Sequence, residues 1–182
     1  MTSKWLKIIL NHLVKRTDKM ELEILKKEKT PKNVIEHSQA VYKKALKIAS
    51  NFNDADLALI KKGALLHDIG RSKTHGITHA VKGVEIARNY GYGEDVLNII
   101  ERHIGAGITE DESEKLKLPK KSYLPQTLEE KIVAHSDNLV SGSKEVNIDF
   151  VIKKWQKSIP DNENNIKRLI KLHNELITPF EE

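Results

Sequence analysis

Leu57-Ala58-Leu59-Ile60-Lys61-Lys62-Gly63-Ala64-Leu65-Leu66-His67-Asp68-Ile69-Gly70 runs a helical apolar stripe directly into an imidazole and a carboxylate. Asn53 or Asp54 stands where a cap would open this helix, and Gly70 where it would stop, so His67-Asp68 is expected at a C-terminal end. Adjacent helical residues diverge by ~100°, so these two side chains can grip one ion only if it sits beside the helix end.

Working outward, apolar residues return every three or four positions almost throughout, and no run of alternating β-branched residues occurs, so the fold class is all-α. A first helix is expected over Ser3 to Lys15 and a short second one after Asp18. Thr30-Pro31 is a start signal, with Thr30 as cap, for a helix whose stripe Val34, His37, Val41, Ala45 and Ile48 includes a histidine. Thr78 caps a helix that begins at His79 and ends at Gly91. Gly93 opens another that carries His103 to its end. Residues 108–126 contain Pro119 and Pro125 and read as a long loop able to act as a lid. Thr127 with Glu130 forms a capping-box pattern for a helix that turns Asp137 inward. Two C-terminal helices, about Ile148 to Lys157 and Asn162 to Ile177, offer Phe150, Val151, Ile166, Leu169, Ile170, His173 and Leu176 as a packing layer. The expected organisation is one domain: N-terminal helices 1–29, a core 30–145 and C-terminal helices 146–182.

The chain has 182 residues, enough to bury roughly 70% of its unfolded surface without a structural metal, so a metal here is expected to be functional. Thirty-one basic against 26 acidic side chains leave a formal +5 spread along the chain, which gives no reason to expect nucleic acid as a partner. Cysteine is absent, which removes disulfides, thiolate metal sites and cysteine nucleophiles together and is most simply cytoplasmic. The apolar run before Leu13 is too short for a signal segment, and nothing approaches the ~18 apolar residues of a membrane span. The oligomeric state is not legible.

Any metal must therefore be held by nitrogen and oxygen. If Asp68 bridges two ions ~3.5–4 Å apart, the remaining candidates divide: His37, His67 and Asp137 with one, His79 and His103 with the other. A lone buried histidine is usually a hydrogen-bonded core residue, and His12 and His173 are read that way. His135, two before Asp137, should point to another face of its helix.

The literal His67-Asp68-Ile69-Gly70, with His37 before it and Asp137 after it, resembles the HD-domain metal-dependent phosphohydrolases of the HDIG subgroup over about Thr30 to Val140. By that resemblance, His37, His67, Asp68 and Asp137 match the family's four metal ligands. His79, in a His-x-x-x-Gly pattern with Gly83, and His103 match the two extra histidines of its two-metal branches. Those branches often carry a double histidine where this chain has His103-Ile104. The resemblance implies an all-α HD bundle and two transition ions, Fe, Mn, Ni, Co or Zn. It also implies hydrolysis of a phosphomonoester or phosphodiester, on a nucleotide-like small molecule, by a metal-activated hydroxide. Asp68 and Arg71 are the expected catalytic residues, and Arg71, Lys73 and His75 the expected phosphate contacts. The proton for the leaving oxygen is open among a water, His75, Lys120 and Lys121. The same fold also supports diiron oxygenases and non-catalytic nucleotide-binding modules. No aromatic cluster that would read a base is evident.

Overall fold

The computed structural model describes residues 19–159 and 162–180. In chain order these form α1 (residues 19–27), α2 (Lys32–Ala49), α3 (Leu57–Leu66), a 3-10 turn (Ile69–Ser72), α4 (His79–Asn89), α5 (Glu94–Arg102), α6 (Glu110–Lys115) and α7 (Leu128–Asn138). A hairpin, β1 (Val140–Ser141) and β2 (Lys144–Glu145), precedes α8 (Ile148–Ser158), α9 (Glu163–Leu176) and a last 3-10 turn (Thr178–Phe180). The all-α expectation holds. The helix expected over Ser3 to Lys15, with His12, lies outside the described residues.

α3 is the centre of the bundle because its sequence is apolar nearly all round. Ile60, Ala64 and Leu65 join Val41, Ala45 and Ile48 of α2 and Ile132 and Val133 of α7 in one core cluster. Leu66 and Ile69 join Val84 and Ala87 of α4 and Val96, Leu97 and Ile100 of α5 in another. Each Val, Leu or Ile among them contributes about 1.5–3 kcal/mol on burial, which fixes the helix ends that carry the polar residues. Gly63 lets α5 approach: a Cβ there would lie 2.5 Å from Cγ2 of Ile99.

Several local signals resolve differently from the sequence reading. α3 is capped by Asp56, whose side chain accepts from the N–H groups of Ala58 and Leu59, and not by Asn53 or Asp54. Pro31 occupies the cap of α2, and the Thr30 hydroxyl is buried without making the cap bond. Gly70 does not terminate a helix; it sits within the 3-10 turn. Its need is steric, since a Cβ would meet the carbonyl oxygen of His79 at 1.9 Å.

Residues 108–126 are a folded strap and no free lid. α6 forms there behind a full Thr109–Glu112 capping box, and Ile108, Leu118 and Tyr123 make a buried cluster with Ile77, Val81 and Ile104 against it. Thr127 does accept from the Glu130 N–H, but the Glu130 carboxylate turns to Arg102 and to the Gln126 N–H, leaving the expected capping box half made. In the C-terminal layer Val151, Leu169, Leu172 and Leu176 are buried, whereas Phe150 and Ile170 are exposed.

No described helix is long and apolar enough to cross a membrane.

Candidate metal centre

His67 is the C-cap of α3, His103 the C-cap of α5, and His79 the first residue of α4. A helix end leaves its last carbonyls without partners, so a histidine there finds an acceptor three residues back. Nδ1 of His67 donates to the Ala64 carbonyl at 2.8 Å and Nδ1 of His103 to Ile100 at 2.7 Å. Nδ1 of His79, at the start of α4, donates to the carbonyl of Gly76 in the preceding loop at 2.9 Å. His37, on α2, donates from Nδ1 to the carbonyl of Gly142 in the β1–β2 turn at 2.7 Å.

Four backbone carbonyls thus place the Nδ1 protons and leave four Nε2 atoms facing one another. The Nε2 atoms of His79 and His103 are 3.0 Å apart. Asp137, on α7, brings Oδ1 to 2.8 Å from Nε2 of His37 and 3.6 Å from Nε2 of His67. Asp68 sets Oδ1 3.1 Å from His79 and 3.5 Å from His103, and Oδ2 3.7 Å from His67. Its two oxygens therefore face different imidazoles. All six residues expected as ligands come together, although they arrive on five helices. Two sets have donor atoms all within 4.8 Å: His37, His67 and Asp137, and His67, Asp68 and His103. His67 stands between them, whereas the sequence reading gave it to the first set alone.

The approach of Asp68 to His79 depends on two glycines. A Cβ on Gly70 would also meet the Gly83 nitrogen at 2.6 Å, and one on Gly83 would meet Cγ2 of Ile100 at 2.8 Å. Together they let the 3-10 turn lie on the start of α4, which explains Gly83 in the His-x-x-x-Gly pattern.

The pocket draws positive charge. Burial favours neutral His67, but the charges of Asp68 and Asp137 outweigh it and raise the ring to about 9. Burial opposes ionisation of Asp68, yet His67, His103 and His79 hold its carboxyl far below the usual range. Asp137 is likewise held down by His37 and His67 against the effect of burial. Burial pushes His103 down. His67 Nε2 and Asp68 Oδ1 are buried without a hydrogen-bond partner among the described residues, so the donor atoms fit a divalent transition ion, for which imidazole nitrogen and carboxylate oxygen are ligands.

Arg71 extends from the 3-10 turn, its Nε 2.7 Å from Asp68 Oδ2. Two clefts meet at Asp68, Arg71 and His37. One passes His75, Asn33, Gly142 and Ser143; the other passes Asp137 and Asn138 toward α8. Lys73 lines neither, because its ammonium lies 3.1 Å from the Glu28 carboxylate. Lys120 and Lys121 are directed to Glu114 and Glu101, so the strap brings no lysine to the centre. His135 is buried on another face of α7, with Nε2 3.1 Å from Nδ1 of His173. Sequence reasoning missed the Gly142 carbonyl, for which the Gly142-Ser143 turn between two short extended pairs was the available signal. It also missed Asn138, which donates to the Gly105 carbonyl at 2.9 Å, and the cleft-facing residues of α8.

Residues 34–142, from α2 through the hairpin, match the HD domain as a sequence family. The chain belongs to the HD-domain family. This HD protein is 54% identical over 148 residues to an uncharacterized protein of Methanocaldococcus jannaschii, covering 79% of the chain and 88% of that protein. It is 46% identical over 156 residues to the tRNA (cytidine(56)-2'-O)-methyltransferase of Picrophilus torridus; that match takes in 85% of the chain but 45% of the enzyme. The chain thus spans less than half of the methyltransferase. Ribonuclease Y of Acidothermus cellulolyticus shares 52% identity over 50 residues, 26% of the chain and 10% of the ribonuclease. Among solved structures, the HD domain of the L. monocytogenes phosphodiesterase PgpH in complex with cyclic-di-AMP has the same fold, with a TM-score of 0.53 at 20% identity over 88% of this chain and 98% of that one.

Proposed function

We propose that this HD protein is a metal-dependent phosphohydrolase acting on a phosphoester of a ribonucleotide. The observation that carries the reading is the convergence of four imidazole Nε2 atoms and two carboxylates beside the Arg71 guanidinium at the meeting point of two open clefts. His37, His67 and Asp137 would hold one ion and His79 and His103 the other, with Asp68 shared between them. A bound divalent ion supplies Lewis acidity and a water of lowered pKa.

The chain's own residues supply the rest. The four Nδ1 contacts orient the imidazoles with Nε2 toward the centre, so loading needs no ring rotation, only loss of the second proton of His67. Arg71, shared by both clefts and about a third exposed, meets the phosphoryl oxygens and offsets the charge that grows on them. His75, on the rim of the first cleft, is the candidate proton donor to the leaving oxygen.

The relatives support the substrate class. The methyltransferase name and the ribonuclease name both refer to RNA, and the PgpH domain is a phosphodiesterase seen with a cyclic dinucleotide. The methyl-transfer name belongs to an enzyme of which this chain matches 45% of the length, and a cluster of imidazoles and carboxylates supplies no methyl donor.

The test is a panel of nucleoside monophosphates, nucleoside 2',3'-cyclic phosphates and cyclic dinucleotides, offered to protein loaded in turn with Mn, Fe, Co, Ni or Zn. Phosphate or ring-opened product is expected with at least one ion. Oxygen uptake by the iron-loaded protein without any phosphoester cleavage would move the assignment to an oxygenase.

A further inference from the structure

The second cleft, about 380 Å³, runs from Asp68, Arg71 and Asp137 to a wall made by one face of α8. That wall lies beyond the residues matched to the HD domain, which end at 142. Its composition does not suit a mere continuation of the core. Val151 is buried as the helix's anchor, but Phe150, beside it, remains 47% exposed. Trp155, one turn on, rests the edge of its six-membered ring over Gly105, where an added Cβ would lie 3.5 Å from the ring. Lys154 lines the same cleft, exposed, with no carboxylate partner among the described residues.

Two aromatic rings and a cation on the side wall of a phosphate-directed cleft are the combination that binds a nucleoside phosphate. Every base offers a π-face to stack on an aromatic ring, and an ammonium close by balances phosphate charge. Cleft-facing aromatics with a few placed polar groups are also the usual composition of small-ligand sites. The packing of Trp155 on Gly105 fixes its ring before a ligand arrives, which limits the entropy lost on stacking.

We infer that Phe150, Lys154 and Trp155 form a nucleoside subsite in which the base of a nucleoside phosphate stacks while its phosphoryl group reaches Arg71 and the metal ligands. This rests on the phosphohydrolase reading for the second half of that statement only. Specificity for a base-bearing over a base-less phosphoester is then set by α8.

The experiment has two arms. In the first, intrinsic tryptophan emission of the metal-loaded full chain is titrated with adenosine 5'-monophosphate, ribose 5-phosphate and inorganic phosphate. The nucleotide is expected to quench and the other two are not, and Trp155→Leu, which leaves Trp5 as the reporter, is expected to lose the quench. In the second, kcat/KM is measured for a base-bearing and a base-less ribose phosphoester. The ratio between them is expected to fall about tenfold in Trp155→Leu, carried by KM. The exposed substitutions Phe150→Ala and Lys154→Ala repeat the test where loss of folding is not an issue. Equal quenching by all three ligands, or a ratio unchanged in all three variants, overturns the subsite. A failure of every phosphoester to be cleaved, with the nucleotide quench intact, keeps the subsite and removes the phosphohydrolase reading.

Discussion

Nε2 of His79 lies 3.0 Å from Nε2 of His103, although each ring has already committed its Nδ1 proton to a backbone carbonyl. Two buried lone pairs at that distance repel unless positive charge is placed against them. Loading chelator-treated protein with a transition ion at one hundred times its Kd is therefore expected to add about 2.7 kcal/mol to the unfolding free energy. It should also release protons, because His67, raised to about 9 by Asp68 and Asp137, carries at neutral pH a second proton that coordination must displace. Thermal scans with and without Mn, Fe, Co, Ni and Zn, run beside proton release in weak buffer, check both. No stabilisation by any of the five ions would remove the metal centre.

Asp68 offers one oxygen toward His79 and His103 and the other toward His67, so its loss should be felt by both ligand sets. Asp68→Ala is expected to abolish hydrolysis and metal retention together. His103→Ala should instead keep the ion held by His37, His67 and Asp137. Elemental analysis of the purified variants reads the difference, and full turnover by Asp68→Ala would refute its assignment.

Gly70 is a steric requirement of the site and not merely of a turn. In Gly70→Ala the new methyl group would meet the His79 carbonyl oxygen at 1.9 Å and must push the 3-10 turn off α4. A destabilisation of about 1–3 kcal/mol is expected, in the range of core overpacking, together with lost occupancy of the ion nearest His79. Denaturant titration and metal content measure the two effects. A stable variant with full metal content would mean that the turn has more room than its packing indicates.

Arg71 and Lys73 are two residues apart in sequence, but their side chains go to different partners, Asp68 and Glu28. Arg71 borders both clefts, while Lys73 is drawn to Glu28. Arg71→Ala is expected to lower kcat/KM by about 10²- to 10³-fold, as for loss of one charge-stabilising donor. Metal content should not change. Lys73→Ala should stay near the parent rate. Equal losses in the two variants would contradict the geometry.

Stability of the chelated protein should pass through a maximum with pH. Burial, with the His173 and Lys44 charges, holds His135 neutral down to about 3, whereas an unfolded histidine takes its proton near pH ~6.5. The unfolded state then holds the extra proton between these values, so stability falls as pH falls through that window. His67, raised to about 9, acts in the opposite sense. Its contribution is complete below about pH 6.5 and is lost as pH rises toward about 9. His135→Leu is expected to flatten the acid limb and metal saturation the alkaline one; chemical denaturation across pH reads both.

The helical class, the approximate order of helices and the six metal-ligand candidates were legible in the residues themselves, because apolar periodicity and the placing of His37, His67, Asp68, His79, His103 and Asp137 at helix ends or on apolar faces are local properties. Caps were less legible. Asp54 and Asp56 are equally good capping residues by type, and only the packing of α3 selects Asp56. Thr30 and Glu130 have capping chemistry, but burial and Arg102 redirect them. What the tertiary structure alone decided is which group meets which. His67 lies between two ligand sets, Gly142 steadies His37 across 105 positions of chain, and α8 closes a cleft with Phe150, Lys154 and Trp155. The reason is physical: propensity and periodicity act over one or two turns of helix. A site made from five helices depends instead on how closely they approach, and here Gly63, Gly70 and Gly83 set those distances.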